Sequence, residues 1–315
     1  MITALKEFLT RPAAIIGTFM LGIVLVAAIF GPSLAPFDPY ARIRVDPSDL
    51  FAPPDNVHLL GRDDAGKDIW SQLIYGARVS LVVGFAASLV SMGIGTTVGL
   101  VAGYYGGRVG NLLMRLVDFL MVVPDLPLML VIIAVWGRGL FNIILVIGLL
   151  GWTYTARLVR SQTLSIKERQ YILRARSIGA SNQRIILRHI LPQVLPLIVA
   201  QSVLDISASI LAESSLSFLG LGDPNLISWG SMLNFAMDRG AVSRQAWWFL
   251  LPPGFAILWV TLSLILIGNS LEETVNPRTR SHHLFDARRM VSLILPVPQP
   301  AQPPSSAPQP IQDIK

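Results

Sequence analysis

The chain has 315 residues, 52% of them hydrophobic and only 14% charged, where an ordinary soluble domain carries about 25% charged residues. That deficit points to lipid, because a soluble core of this size needs no long stretches empty of charge. The net charge of +6 raises nucleic acid as a partner, but the basic residues gather beside apolar segments and so fit a membrane surface instead. The absence of cysteine excludes disulfides, thiolate metal sites and cysteine nucleophiles, and His58, His189, His282 and His283 are too scattered for a zinc site, so no metal is expected.

A helix crossing the hydrocarbon core of about 30 Å needs about 20 largely apolar residues. Residues 12–37, 79–107, 139–156 and 245–271 contain no Asp, Glu, Lys or Arg. Two further apolar segments, 113–136 and 191–215, reach spanning length with acidic residues inside them. The expected fold is an all-α membrane protein of about six transmembrane helices. Lys6 and Arg11 ahead of the first span imitate a signal peptide, but the apolar stretch outruns an ordinary signal core, so a retained helix is expected, with residues 1–37 forming the cytoplasmic N-terminus and this first transmembrane helix.

The stretch 38–77 carries seven aspartates against Arg42, Arg44, Arg62 and Lys67. Within it Gly61-Arg62-Asp63-Asp64-Ala65-Gly66-Lys67-Asp68 imitates a phosphate loop. The imitation fails because Asp68 stands where Ser or Thr must hold magnesium, and Asp63 and Asp64 repel phosphate. Glycines 84, 93, 95, 99 and 103 thin the second span, which is read as close helix packing. In the third span, Pro124 and Pro127 predict a kink, and Arg115 lies three residues before Asp118, at ion-pairing distance on one helical face. Charged groups inside apolar spans are functional candidates by default. Asp118, Asp205 and Glu213 are the candidates for a translocation path or for intramembrane polar contacts, with Asp125 beside them.

Between the fourth and fifth spans, 157–190 holds Arg157, Arg160, Lys167, Arg169, Arg174, Arg176, Arg184 and Arg188 against the single acid Glu168. Basic residues stay on the cytoplasmic side, so this segment is expected inside, with both termini inside and the stretches 38–77 and 216–246 outside. The short 104–115 connection, with Arg108 and Arg115, also falls inside. The loop reads as a helix from Tyr171, a glycine terminator at Gly179, a second short helix, and Pro192 opening the next span. Beyond residue 280 the composition changes, with seven prolines between Pro296 and Pro310, and a disordered tail is expected over 281–315.

The loop resembles the EAA loop of ABC importer permeases, Glu-Ala-Ala, three residues, Gly, nine residues, Ile-x-Leu-Pro. Gly179, Leu191 and Pro192 match at that spacing and Ala175 matches the second alanine, while Leu173, Arg174 and His189 depart from the glutamate, the first alanine and the isoleucine. The similarity extends over nearly all of residues 10–280 and is to the C-type branch of the dipeptide, oligopeptide and nickel permeases. It is carried by Ala35-Pro36-Phe37-Asp38-Pro39, Leu60-Gly61-Arg62-Asp63, Tyr75-Gly76-Ala77-Arg78-Val79-Ser80-Leu81, the run Ser215–Gly222, Trp229-Gly230-Ser231-Met232 and Asn276-Pro277-Arg278.

The resemblance implies a type I permease core over 78–280, with an EAA-like loop at 168–192 whose Leu173, Arg174, Ala175, Gly179, Ala180, Leu191 and Pro192 dock on a cytoplasmic ATPase. It implies a second homologous permease subunit, one or two ATPase subunits that bind ATP and magnesium, an external solute-binding protein, and a peptide-like solute. The chain itself is then a multi-pass protein of the bacterial inner membrane, surrounded by lipid, with no cofactor, no catalysis and no nucleic acid. Two rivals remain open: an ion-driven secondary transporter, and an intramembrane aspartyl protease, suggested by Gly220-Leu221-Gly222-Asp223.

Overall fold

The structure, a computed structural model, describes residues 8, 10–41 and 46–275. Arg42, Arg44, the Asn276-Pro277-Arg278 signature, the proline-rich tail and both termini lie outside the described residues. The described elements are α1 (Pro12–Leu34), a 3-10 turn at Pro47–Asp49, α2 (Ile69–Tyr105), α3 (Gly107–Val122), α4 (Asp125–Trp136) and α5 (Leu140–Lys167). They continue with α6 (Gln170–Ser177), α7 (Asn182–Ile185), a π-turn at Ile186–Ile190, α8 (Leu191–Phe218), α9 (Trp229–Asp238) and α10 (Trp247–Val275). By length and composition five helices can cross a membrane, and α3 with α4 makes a sixth crossing if the pair is one broken span.

Three spans differ from their sequence reading. The expected kink in the third is a full break: α3 and α4 meet at 89° across Val123 and Pro124. Pro124 and Pro127 both lack an N–H, so the α-helical ladder loses two donors within one turn. The fourth span does not end with its apolar run; α5 continues to Lys167, because Val159, Thr163 and Ile166 keep a buried stripe at helical spacing. The fifth is not opened by Pro192. The helix is continuous from Asn182 to Leu221, and the π-turn widens it where the proline ring would strike the carbonyl one turn earlier, with Leu191 N–H reaching back to Ile186 O.

The core of the bundle is the pairing of α2 with α5. Gly95, Gly99 and Gly103 recur every four residues and receive Thr155, Val159 and Thr163; a Cβ on Gly99 would stand 2.7 Å from the Ala156 carbonyl. Gly148 answers from α5, seated under Ala87 and Val90, and Gly84 receives Ile210 of α8. The expected close packing therefore holds for four of the five glycines. Gly93 is the exception, exposed with nothing within 4 Å.

The two ends of α2 carry different structures. At its start, residues 46–68 fold into a knot that is the failed phosphate loop. Asp68 caps the helix, accepting from Ser71 N and Ser71 Oγ at 2.7 Å each, and pairs with His58 Nδ1 at 2.9 Å. Asp63 is buried and accepts from Ala65 N, Lys67 N and Gln72 Nε2 at 2.7–2.8 Å. Burial nonetheless pushes its carboxyl up from the ordinary value. Asp55 is held below its ordinary value by the backbone N–H groups of His58 and Val57.

The segment 219–246 packs on this knot. Arg239 pairs with Asp64 at 3.0 Å, the Arg244 guanidinium lies 4.7 Å over the Phe51 ring, and Ile227 N–H donates to Tyr40 Oη at 3.2 Å. At the other end of α2, Lys167 Nζ reaches the Tyr104 carbonyl at 3.3 Å, tying the α2–α3 corner to the end of α5. The described parts of 38–77 and the stretch 216–246 thus share one end of the bundle, and the 104–115 connection and the basic loop share the opposite end, as the parity of the spans requires.

Candidate functional site

The basic loop is a built element. Helix α6 ends in a paired cap: Gly179 N–H returns to Arg176 O at 3.0 Å and Ala180 N–H to Ala175 O at 3.1 Å, with Gly179 at φ +82°. These are the two bonds of a Schellman motif, which needs a left-handed residue at that position. A Cβ on Gly179 would meet nothing within 4 Å, so the glycine is required by its backbone angle alone. Ser181 then caps α7, accepting from Arg184 N at 3.3 Å.

One face of this helix-turn-helix is rooted in the bundle. Ile172, Ile185 and Ile190 are fully buried among Tyr104, Val159, Ile166 and Val194. Tyr104 Oη donates to Asn182 Oδ1 at 2.7 Å, and the Arg176 guanidinium lies 5.7 Å over the same ring. Gln193 hydrogen-bonds Tyr171 and accepts from Arg169 at 3.2 Å, bracing α6 on the start of α8. The other face is presented outward. Leu173, Arg174, Gly179 and Pro192 are exposed, Ala175, Ala180 and Leu191 half-buried. Ile178 is 86% exposed. Sequence reasoning passed over Ile178, although an isoleucine just before a terminating glycine in a basic loop is a signal of a greasy tip. It also passed over Tyr104, Asn182, Ile172 and Ile185, whose role as the root depends on a helix far away in sequence.

The intramembrane acids separate. Asp118 does not pair with Arg115; its partner is Arg157 of α5, at 2.6 Å. Neighbouring helices offered Asp118 a cation across the gap, and the i,i+3 geometry on its own helix lost to it. Glu213 is 1% exposed, accepting from Ser217 Oγ at 2.7 Å and Ser80 Oγ at 3.2 Å, with Ser214 Oγ at 3.4 Å. Enclosed in this way it ties α8 to α2 and presents nothing to a solute. Asp205 is half-buried at a cavity of about 170 Å³ lined also by Asp125, Leu126, Gly151 and Ala208. Its Oδ2 is buried and accepts no hydrogen bond from the described residues. Asp223, the suspected protease aspartate, uses both oxygens on backbone N–H groups, those of Leu140 at 3.0 Å and Asn225 at 2.9 Å.

The run Ser215–Gly222 repeats the cap of α6. Gly220, at φ +80°, closes α8 with Gly220 N–H on Ser217 O and Leu221 N–H on Leu216 O, both at 3.0 Å. Trp229-Gly230-Ser231-Met232 opens α9. Ser228 and Ser231 form a reciprocal capping box there, and Gly230 lies so close to α8 that a Cβ would stand 2.5 Å from Ser214 O.

These signatures and the surface turn fall inside a recognised family. Residues 95–281 match the family described as binding-protein-dependent transport system inner membrane component, and residues 2–54 match the N-terminal TM domain of oligopeptide transport permease C. The chain belongs to this permease family. It is 37% identical to the dipeptide transport system permease protein DppC of Alkalihalophilus pseudofirmus, over 88% of this chain and 90% of that one. It is 32% identical to the oligopeptide transport system permease protein OppC of Bacillus subtilis, covering 88% and 89%. It is 36% identical to the glutathione transport system permease protein GsiD of Pectobacterium atrosepticum, covering 88% and 90%. The permease is therefore a multi-pass inner-membrane subunit of an ABC importer, a transport component rather than an enzyme, working with ATPase and binding-protein partners that supply ATP hydrolysis and solute. This family membership removes the protease and secondary-transporter readings.

Proposed function

We propose that this permease is one of two homologous membrane subunits of an importer for peptides or similar small solutes, and that the α6–Gly179–α7 turn is where a partner ATPase grips it. The observation that carries the reading is the turn's two-faced construction. Its isoleucines are locked into the bundle through Tyr104 and α5, so force applied at the exposed Leu173, Arg174 and Ile178 reaches the spans instead of being absorbed by a slack loop. ATP and magnesium belong to one or two ATPase subunits, and the chain needs no cofactor of its own. The eight basic residues of 157–190 support a cytoplasmic position for this end, with both termini on that side and the stretch 38–77 outside, facing a solute-binding protein. The dipeptide, oligopeptide and glutathione permeases among the relatives support a peptide-like solute.

The test is Gly179→Val in reconstituted vesicles. A β-branched residue at φ +82° is strained by about 1–3 kcal/mol, so the turn should misorient, and uptake and solute-stimulated ATP hydrolysis should fall while membrane insertion stays normal. Because the space around Gly179 is open, Gly179→Asn, which tolerates the left-handed region, should retain most coupling. Wild-type coupling in a correctly inserted Gly179→Val complex would overturn the assignment.

A further inference from the structure

The surface of this chain at membrane depth is of two kinds. Helix α1 has no charge from Pro12 to Leu34, and it presents Phe19 and Ile29 outward at 70% and 68% exposure. That is a face for lipid. The face formed by α3, α4, α5 and α8 is different. Pro124, Asp125, Leu126 and Pro127 are all exposed at the break in the third span. The Val123 carbonyl has no helical donor, because the residue four ahead is Pro127. Non-helical backbone is tolerated at membrane depth only where protein or water covers it.

The break lies well inside the membrane. It shares the 170 Å³ cavity with Gly151 of α5. Gly151 is about 16 Å along the helix from Leu140 at 1.5 Å per residue, about half of a 30 Å hydrocarbon core. On the same helices Asp118 and Arg157 pair with their side chains 62% and 49% exposed. Arg157 is about 25 Å along α5 from Leu140, close to the cytoplasmic edge of a core of about 30 Å, so this open pair marks the aqueous end of the same face. Around the cavity, Asp125 and Asp205 have no ion-pair partner among the described residues, and Asp205 Oδ2 is left without a donor.

We propose that this face, centred on the Val123–Pro124 break and floored by Asp125, Asp205, Leu126 and Ala208, lines a water-filled solute passage, and that its unpaired carboxylates make the passage favour positively charged solute ends. The inference rests on the reading of the chain as half of a permease pair. It adds which side of the chain is wet and what charge the solute meets there. Asp118 is neutralised by Arg157, so the two aspartates at the cavity set the local sign. Acidic side chains lining a pore raise the local concentration of cations and lower that of anions. A peptide would meet this stretch more favourably with its ammonium end than with its carboxylate end.

The natural absence of cysteine allows a direct test in the assembled transporter. Single-cysteine variants Leu126→Cys, Ala208→Cys and Phe19→Cys are exposed to membrane-impermeant cationic and anionic methanethiosulfonate reagents, with and without ATP, while uptake is measured on the same preparations. Leu126→Cys and Ala208→Cys should be labelled in at least one nucleotide condition, and Phe19→Cys in none. The cationic reagent should react about tenfold faster than the anionic one, and adding Asp205→Asn to Ala208→Cys should shrink that ratio. Absence of labelling at both cavity positions in a complex that still copurifies and transports would make the face dry and overturn the passage, leaving the transport reading intact. Equal rates for the two reagents would overturn the charge preference. Labelling in a complex that has lost uptake would still support the passage.

Discussion

Glu213 stands in the middle of an apolar helix, where a lone carboxylate is read first as a solute contact. Its surroundings assign it differently: hydroxyls from Ser80, Ser214 and Ser217 reach it, and only 1% of the residue is exposed. A buried polar group left without its partner costs about 1–3 kcal/mol. Glu213→Leu strips the acceptor from Ser80 and Ser217 together, so the purified complex should melt several degrees lower. Glu213→Gln keeps one acceptor oxygen, and the hydroxyls can turn to accept from its amide, so its melting temperature should stay near the parent's. Equal melting temperatures for the parent and Glu213→Leu would show that the serine cage is not structural. The identity of Glu213 was legible in the sequence and its role was not, because Ser80 lies on another helix, 133 residues away.

At the scale of elements, the α2–α5 crossing shows how far a pattern of small residues can be read. Gly95, Gly99 and Gly103 sit on one helical face at four-residue spacing, and the close approach follows from it. Gly93 is off that face and meets nothing. Gly99→Leu would push a side chain into the Ala156 carbonyl and Val159 at 2.7 Å, an overpacking expected to cost about 1–3 kcal/mol. It should lower the thermal stability of the complex in detergent, whereas Gly93→Leu should change it little. A larger loss from Gly93→Leu would mean that the exposed side of α2 is the tightly packed one. The broken third span marks the limit of such reading. Two prolines announce a disturbance, but whether the two half-helices stay in line or turn by 89° depends on what each half packs against. Here α3 packs on Ala102, Trp152 and Ala156, and α4 on Val83, Ile143 and Ile147.

For the whole molecule, the alternation of ends is the property most open to experiment. The knot at residues 46–68 and the basic turn at 170–190 sit at opposite ends of α2, so they must lie on opposite sides of any membrane that α2 crosses. Ser48→Cys and Ser181→Cys, both exposed positions, should label from opposite faces of sealed vesicles, the first from outside and the second from the cytoplasmic side. Labelling of both from one side would overturn the topology.

The sequence by itself determined the solvent of this protein, its five or six crossings and the position of the basic turn at Gly179. Those features follow from local and additive quantities: runs without charge, the side on which arginines collect, and a glycine that alone fits a left-handed cap. Only the tertiary structure decided which charges meet. Asp118 takes Arg157 over its sequence neighbour Arg115, Asp63 and Asp68 close a knot that imitates a phosphate loop, and Asp205 is left unpaired while Glu213 is enclosed. Each outcome depends on which helix lies alongside, and a charge inside a membrane is governed by its nearest partner in space, because the hydrocarbon around it offers none.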